Sequence, residues 1–247
     1  MKHTVESSRK PSTKKIVRNR LLAALPAFEF NLLAAQCVAR KLTAGEVIQH
    51  LHVPVEYVWF PTSGLISLRS EITPGTGLEV AMVNCDGMVG IAGFDDAAVS
   101  PLSAIVQIAG SAMRISIAEF RSIFDISIDL KKSVAVSMES LVLQASQNAV
   151  CSHFHLLEAR LARLLLQTRR CIALDEFHLT HEFLGHTLGV RRVGVTKAAM
   201  ALQMRNLIRY SRGAITIIDA AGLAAVACSC YRGELPLEPC EQGSVKE

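Results

Sequence analysis

The sequence predicts an α+β chain: a β jelly roll over residues 20–127, a long helix over residues 128–154 and a winged helix-turn-helix over residues 155–235. Tails at residues 1–19 and 236–247 flank them. Three observations carry this reading. Short β-like runs separated by turn residues recur between Val38 and Ile117. From Ile128 to Gln167 there is neither proline nor glycine. Residues 180–218, THEFLGHTLGVRRVGVTKAAMALQMRNLIRYSRGAITII, have the pattern of two short helices, a glycine turn and a β-hairpin.

In chain order, residues 1–16 are basic and rich in Ser and Thr, the composition of a solvated tail; a flexible DNA-binding arm is the alternative. Around Arg20–Leu33 the pattern is a short helix, a break at Pro26 and a second short helix. Strands are then expected at Lys41–Leu42, Val55–Phe60, Leu65–Ser70, Leu78–Val83, Ala104–Ile108 and Ala112–Ile117. The turns predicted between them include Pro61-Thr62-Ser63-Gly64, Pro74-Gly75-Thr76-Gly77 and Asn84-Cys85-Asp86-Gly87. Many short strands at even spacing predict a sandwich or jelly roll. A helix over Ala118–Phe124 follows.

In the long helix Val136, Leu143, Val150, Phe154, Leu157, Leu161 and Leu164 make one heptad-like seam, interrupted by Ser140 and Gln147. Such a seam usually covers a partner helix. Met138, Leu143, Gln147, Val150 and Phe154 are therefore expected to form a homodimer interface; burial within the subunit is the alternative. Past Cys151 the chain is expected to bend into a second helix that belongs to the C-terminal domain.

Within residues 180–218, Thr180 is placed to cap the first helix, with Glu182 in its first turn. Gly185 leaves room for a crossing helix, and Gly189 supplies the left-handed end. Val195, Ala198, Ala199 and Leu202 mark the buried side of the second helix, which leaves Arg191, Arg192, Gly194, Thr196 and Lys197 exposed. Asn206 suits a C-terminal cap, and Ser211-Arg212-Gly213-Ala214 joins two β-rich runs. Arginine pairs with guanine edges, while Thr and Lys hold phosphates or base edges. The expected DNA contacts are Thr180, Arg191, Arg192, Thr196, Lys197, Arg209 and Arg212. An ordinary helical hairpin with a solvated basic face explains the charges but not the packing pattern.

Charge and composition agree. Residues 1–20 carry +6 and residues 180–213 carry +5, which leaves −7 on the rest of a chain whose net charge is +4. An acidic body with a basic reading element suits a nucleic acid held on one face. No apolar run approaches membrane-spanning length, and Pro26 cuts the run at Leu21–Leu25 too short for a signal peptide. Seven cysteines in irregular positions argue against a disulfide framework and for a cytoplasmic protein.

Several patterns imitate chemistry. In His181-Glu182-Phe183-Leu184-Gly185-His186 the histidines are five apart, where the zinc-protease helix needs four. The glycines of residues 86–93 fall at every third position, unlike a dinucleotide-binding loop. Cys151-Ser152-His153-Phe154-His155 holds metal-capable residues; on a continuous helix Cys151 and His155 share a face and His153 points away, and a structural role is the expectation. Cys228 and Cys230, read as lying on the last helix, are expected to point apart and pack as reduced thiols. No nucleophile–base–orienter set is visible, so no enzyme is predicted; nor is a metal site or a cofactor.

Over residues 20–231 the layout resembles the Crp/Fnr family of bacterial transcription regulators. The matching segments are NRLLAALP, YVWFPTSGLISL, DGMVGIAGF, SPLSAIVQIAG and LTHEFLGHTLGVRRVGVTKAAMALQ. The resemblance implies a cyclic-nucleotide-binding-like jelly roll, a dimerising helix and a DNA-reading winged helix. Its partners would be double-stranded DNA with an inverted-repeat operator, a second copy of the chain and RNA polymerase. The sequence departs from the family's sensors. Val89-Gly90-Ile91 lacks the carboxylate that holds the ribose, and Leu102-Ser103 stands where Arg-Ser would hold the phosphate. No cysteine precedes Cys37, so the family's N-terminal iron–sulfur ligand set is missing. Arg192, Val193 and Lys197 replace the usual Arg-Glu…Arg of the recognition helix. The expectation is a regulator that does not read cyclic nucleotide in the usual way; the alternative is a ligand- or redox-sensing module that acts through a protein partner. The effector is not legible.

Overall fold

The computed structural model describes residues 18–73, 76–90 and 99–232. Residues 1–17 of the tail expected at 1–19, the tail expected at 236–247, Pro74 and Gly75 of the predicted Pro74–Gly77 turn, and residues 91–93 of the glycine-rich segment lie outside the described residues. Two short helices open the described residues: α1 (Arg20–Ala23), capped by the Asn19 side chain, and α2 (Ala27–Gln36), which starts after Pro26. An antiparallel β-domain follows, with β1 (Val38–Leu42), β2 (Val47–Gln49), β3 (Tyr57–Thr73), β4 (Thr76–Val83) and β5 (Ser103–Ser116). The sheet order is β1-β5-β3-β4, with β2 also on β5.

The Asn84–Gly87 turn is present: the Asp86 N–H donates to the Asn84 side chain at 3.1 Å. The turn expected at Pro61–Gly64 is not. β3 runs through it as one strand, paired with β5 on both sides and with its register shifting between Pro61 and Ile66. Likewise the two strands expected at 104–108 and 112–117 are one. Proline and glycine here mark a bulge, not a reversal. Gly64 has φ +84°, and an added Cβ would sit 2.6 Å from the Ile108 carbonyl oxygen; a Cβ on Gly110 would overlap the Ser63 carbonyl. Only glycine lets the two bent backbones approach so closely. The interior of this domain is filled by Trp59, Ile66, Leu68, Val83, Val106 and their neighbours.

Helix α3 (Ile117–Ile126) leads into the long helix α4 (Ile128–Phe154), whose first turn is capped by Ser127 Oγ accepting from the Leu130 N–H at 3.0 Å. Strand β4 is an edge of the sheet, and α4 covers it. Gln144 Oε1 accepts the Met82 N–H at 3.0 Å, and Asn148 Nδ2 donates to the Val80 carbonyl at 3.1 Å. Spaced by four on one helix face, these amides satisfy backbone groups that would otherwise lack a sheet partner.

The helix breaks at His155–Leu156, both extended, and α5 (Leu157–Ile172) begins. The predicted bend is there, with neither proline nor glycine at it. Leu161 and Leu164 are buried in the C-terminal core, so the seam read as running to Leu164 ends at Phe154. Two burial demands on one apolar run compete: residues before the break follow α4, and those after it follow the C-terminal domain.

That domain continues with β6 (Glu176–His178), α6 (His181–Leu188), α7 (Arg192–Met204), β7 (Ile208–Ser211), β8 (Ala214–Ile217), α8 (Ala220–Val226) and a 3₁₀ turn at Ser229–Arg232. Its sheet order is β6-β8-β7. Strand β6 goes beyond the sequence expectation; its only sequence signal is the alternation of buried Phe177 and Leu179 with exposed His178. No described helix is long and apolar enough to cross a membrane. Cys37, Cys151, Cys171, Cys228 and Cys230 are in no disulfide, whereas Cys85 is disulfide-bonded.

Candidate nucleic-acid interface

The reading element is assembled from local capping chemistry. Thr180 Oγ1 accepts the Phe183 N–H at 3.1 Å and starts α6. Gly189, at φ +64°, ends it. The chain then folds back so that the Val190 N–H donates to the Gly185 carbonyl at 2.9 Å. A Cβ on Gly185 would lie 2.9 Å from the Val190 carbonyl oxygen, so the turn needs a glycine there. Val195, Ala198, Ala199 and Leu202 bury the inner side of α7, and Asn206, at φ +57°, follows its end. Strands β7 and β8 close as a two-residue hairpin with Arg212 and Gly213 both at positive φ, as a primed turn requires.

On the outer side, Arg191, Arg192 and Lys197 are exposed. Arg191 is the N-cap residue and Arg192 the first helical residue, and no acidic side chain occupies the first turn of α7. The positive end of a helix carrying two exposed guanidiniums is the kind of patch that attracts anions. Arg209 on β7 and Arg212 at the hairpin tip are exposed as well. Two of the sequence-predicted contacts also have structural work. The Thr180 hydroxyl caps α6, and Thr196 Oγ1 lies 3.0 Å from His181 Nδ1 and 3.1 Å from the Arg192 carbonyl.

Two buttressing residues are missed at the sequence level. His181 stacks on Tyr210, with ring centroids 4.1 Å apart, and so joins the start of α6 to the hairpin. Burial, and then the charge of Arg192, lowers the His181 pKa and favours the neutral ring that accepts this stack. Only tertiary folding brings positions 181 and 210 together, and no local pattern announces it.

On α4, Val136, Leu143, Val150 and Phe154 are exposed at 66, 46, 48 and 73%. At about 100° per residue they lie on one stripe. Gln147 lies on the same stripe, but its amide donates to Cys230 Sγ of the same chain at 2.7 Å. Met138, 43% exposed, is turned roughly 160° from the stripe.

Between α4, β4 and the C-terminal domain is a cavity of about 220 Å³, lined by Glu79, Gln144, Gln147, Asn148, Arg160 and Arg163 among others. Glu79 is wholly buried, and burial pushes its carboxyl up to about 7 against the opposing pull of Ser67, Arg69 and Arg163. The Arg160 guanidinium reaches the Leu188 carbonyl, at the end of α6, at 2.5 Å. Arg163 donates to Asn148 Oδ1 at 2.7 Å. Sheet, long helix and reading element thus share one polar seam. Ser103, expected where the family binds a phosphate, donates to Glu71 at 2.9 Å.

The Cys–His segments do not behave as expected. Cys228 follows the end of α8 and Cys230 lies in the 3₁₀ turn, so the two are not on one helix and do not point apart. Their sulfurs gather with Cys151 Sγ and the His155 ring at the α4–α5 break.

Comparison with known proteins follows the same lines. Residues 159–226 match the family model of the Crp-like helix-turn-helix domain. A search of curated proteins finds no match. Among solved structures, a crp/fnr-family transcriptional regulator from Eubacterium rectale superposes with TM-score 0.68 at 17% identity, covering 85% of this chain and 98% of that one. FixK2 from Bradyrhizobium japonicum gives 0.66 at 16%, with 78% and 98% covered. TTHA1359 from Thermus thermophilus, a CRP/FNR-family transcriptional regulator, gives 0.64 at 21%, with 76% and 97% covered. Residues 159–226 thus match a Crp-like helix-turn-helix domain, carried in a chain with the fold of the Crp/Fnr transcription regulators.

Proposed function

We propose that this protein is a cytoplasmic, homodimeric, sequence-specific DNA-binding transcription regulator and not an enzyme. The observation that carries the reading is the pair Arg191 and Arg192 at the N-terminus of α7, exposed and without an acidic neighbour in that turn. Two such helices related by a two-fold axis read half-sites about one helical turn apart, roughly 34 Å. The exposed stripe Val136–Leu143–Val150–Phe154 on α4 supports a self-association that hides it. The operator is then an inverted repeat, and RNA polymerase is the machinery whose access it alters.

Cyclic nucleotide is not its signal in the usual way. The β-domain interior is packed with apolar side chains, Leu102 among them, and Ser103 is already bonded to Glu71. Gel-shift selection with genomic fragments, repeated at two salt concentrations, tests the DNA reading. Enrichment of one inverted repeat is expected, and a protein that prefers no sequence at either salt would overturn it. Calorimetry with cyclic AMP tests the second part: no heat is expected at micromolar ligand.

A further inference from the structure

The end of α4 and the C-terminal turn bring four metal-ligating side chains to one point. Cys151 Sγ, the His155 ring, Cys228 Sγ and Cys230 Sγ all offer ligand atoms within 4.8 Å of one another. Cys151 Sγ and Cys228 Sγ are 3.5 Å apart, and Cys230 Sγ is 3.5 Å from His155 Nδ1. Thiolates held about 2.3 Å and an imidazole about 2.0 Å from one tetrahedral ion lie roughly 3.5–4 Å from each other. We propose that Cys151, His155, Cys228 and Cys230 form a closed, mononuclear site for a tetrahedral thiolate-binding divalent ion of the zinc class, which ties the end of the long helix to the C-terminal turn of the DNA-binding domain.

The surroundings are those of a ligand set and not of a disulfide. A Cys151–Cys228 bridge would use two of the four groups and leave His155 and Cys230 facing it without a role. Ser229 Oγ lies 3.4 Å from His155 Nε2, so the far ring nitrogen has an orienting partner while Nδ1 faces the sulfurs, as outer partners do at metal-bound histidines. Gln147 donates to Cys230 Sγ, and Arg160 and Arg163 place positive charge beside Cys151. Three thiolates and a neutral imidazole around a divalent ion carry one net negative charge, which those guanidiniums offset. The three cysteines are at most 7% exposed, while His155 is half-buried and gives the ion its way in. An iron–sulfur cluster spreads its protein ligands over two or four irons, which needs a wider ligand set than four atoms all within 4.8 Å of one another.

The site has a mechanical meaning. Cys151 is in the last turn of α4, His155 is its C-cap, and Cys228 and Cys230 follow α8. One ion would therefore bridge the break between the two helices and fix the angle at which the winged helix leaves α4.

The test is a Co²⁺ titration of the full-length, reduced, metal-free protein, read by absorbance and independent of DNA. One equivalent per chain is expected, with thiolate-to-cobalt charge-transfer bands and the strong visible bands of a tetrahedral ion, both displaced by Zn²⁺. Zn²⁺ should also raise the thermal midpoint of the wild-type chain. Cys228→Ser and the half-exposed His155→Ala should each weaken Co²⁺ binding at least tenfold, with the fold checked by circular dichroism. His153→Ala, an exposed neighbour set edge-on to Phe154, should bind as wild type. The proposal is overturned if reduced wild-type protein takes up no Co²⁺ at micromolar concentration, or if the bands survive in both ligand variants. It is equally overturned if the protein as isolated carries an iron–sulfur cluster on these residues.

Discussion

The imidazole of His181 lies flat on the ring of Tyr210, with planes 11° apart, while its Nδ1 meets Thr196 Oγ1 at 3.0 Å. Three separate elements, the first helix, the reading helix and the hairpin, are thereby held by one neutral ring. Its pKa is depressed below the ordinary 6.5 by burial and then by Arg192. The unfolded chain therefore takes up this proton first as pH falls. The contribution is complete above about pH 6.5 and is lost below it. Thermal melts from pH 7.5 to 5 should show a steeper loss for the wild type than for His181→Gln. Equal slopes would remove His181 from the account.

The arginines at the head of α7 should divide their labour with Lys197. Arg192→Ala should cost roughly 1–3 kcal/mol at the specific site if it pairs with a guanine edge. Lys197→Ala should weaken specific and random DNA alike and make the salt dependence shallower. Filter binding at several salt concentrations checks both, and unchanged operator affinity in both variants would reject this face as the interface.

Self-association should depend on the α4 stripe. Leu143→Glu would put two carboxylates near a two-fold axis, where desolvation and like charge both oppose pairing. The expected product is a folded monomer that binds an inverted repeat much more weakly. Sedimentation and gel-shift on one sample decide; a dimer with normal binding would show that α4 packs only within its own chain.

Glu79 should make the fold less stable at high pH. Its carboxyl, normally near 4.5, holds its proton to about 7 when folded. The folded state binds the extra proton between those values, so stability declines as pH rises from about 4.5 to 7 and stays lower above. The loss is on the order of 3 kcal/mol. Glu79→Gln should match the wild-type melting point at pH 4.5 and exceed it at pH 8. A variant less stable at both would mean that the carboxylate is needed ionised.

Much of the architecture is legible in the sequence because it rests on local rules. Thr180, Gly185, Gly189 and Asn206 each answer a backbone requirement that only a few residue types meet, and they occupy the expected places. Long-range geometry is where the sequence misleads. Pro61 and Gly64 carry the composition of a turn, yet pairing with β5 on both sides makes them a bulge. Leu157–Leu164 continue an apolar period from α4 but turn into a different core. Cys228 and Cys230 have the spacing of helix neighbours, whereas the helix stops at Val226 and the turn brings both sulfurs to Cys151, 77 residues before Cys228.

The C-terminal core contains two residues from the other domain: Leu65 of β3 and Met82 of β4 are buried with Leu161, Leu184 and Leu202. A Cβ on Gly189, in the turn of the reading motif, would sit 2.8 Å from Leu78 of the same sheet. Residues 155–232 are thus not a detachable module in this arrangement, and excising them would strip apolar surface bare at the joint. Heating the whole chain should give one cooperative transition in calorimetry, where two independent domains would give two. Any signal that pries the β-domain from the winged helix then has to work against the stability of the whole molecule, so release of the reader and partial unfolding draw on the same free energy.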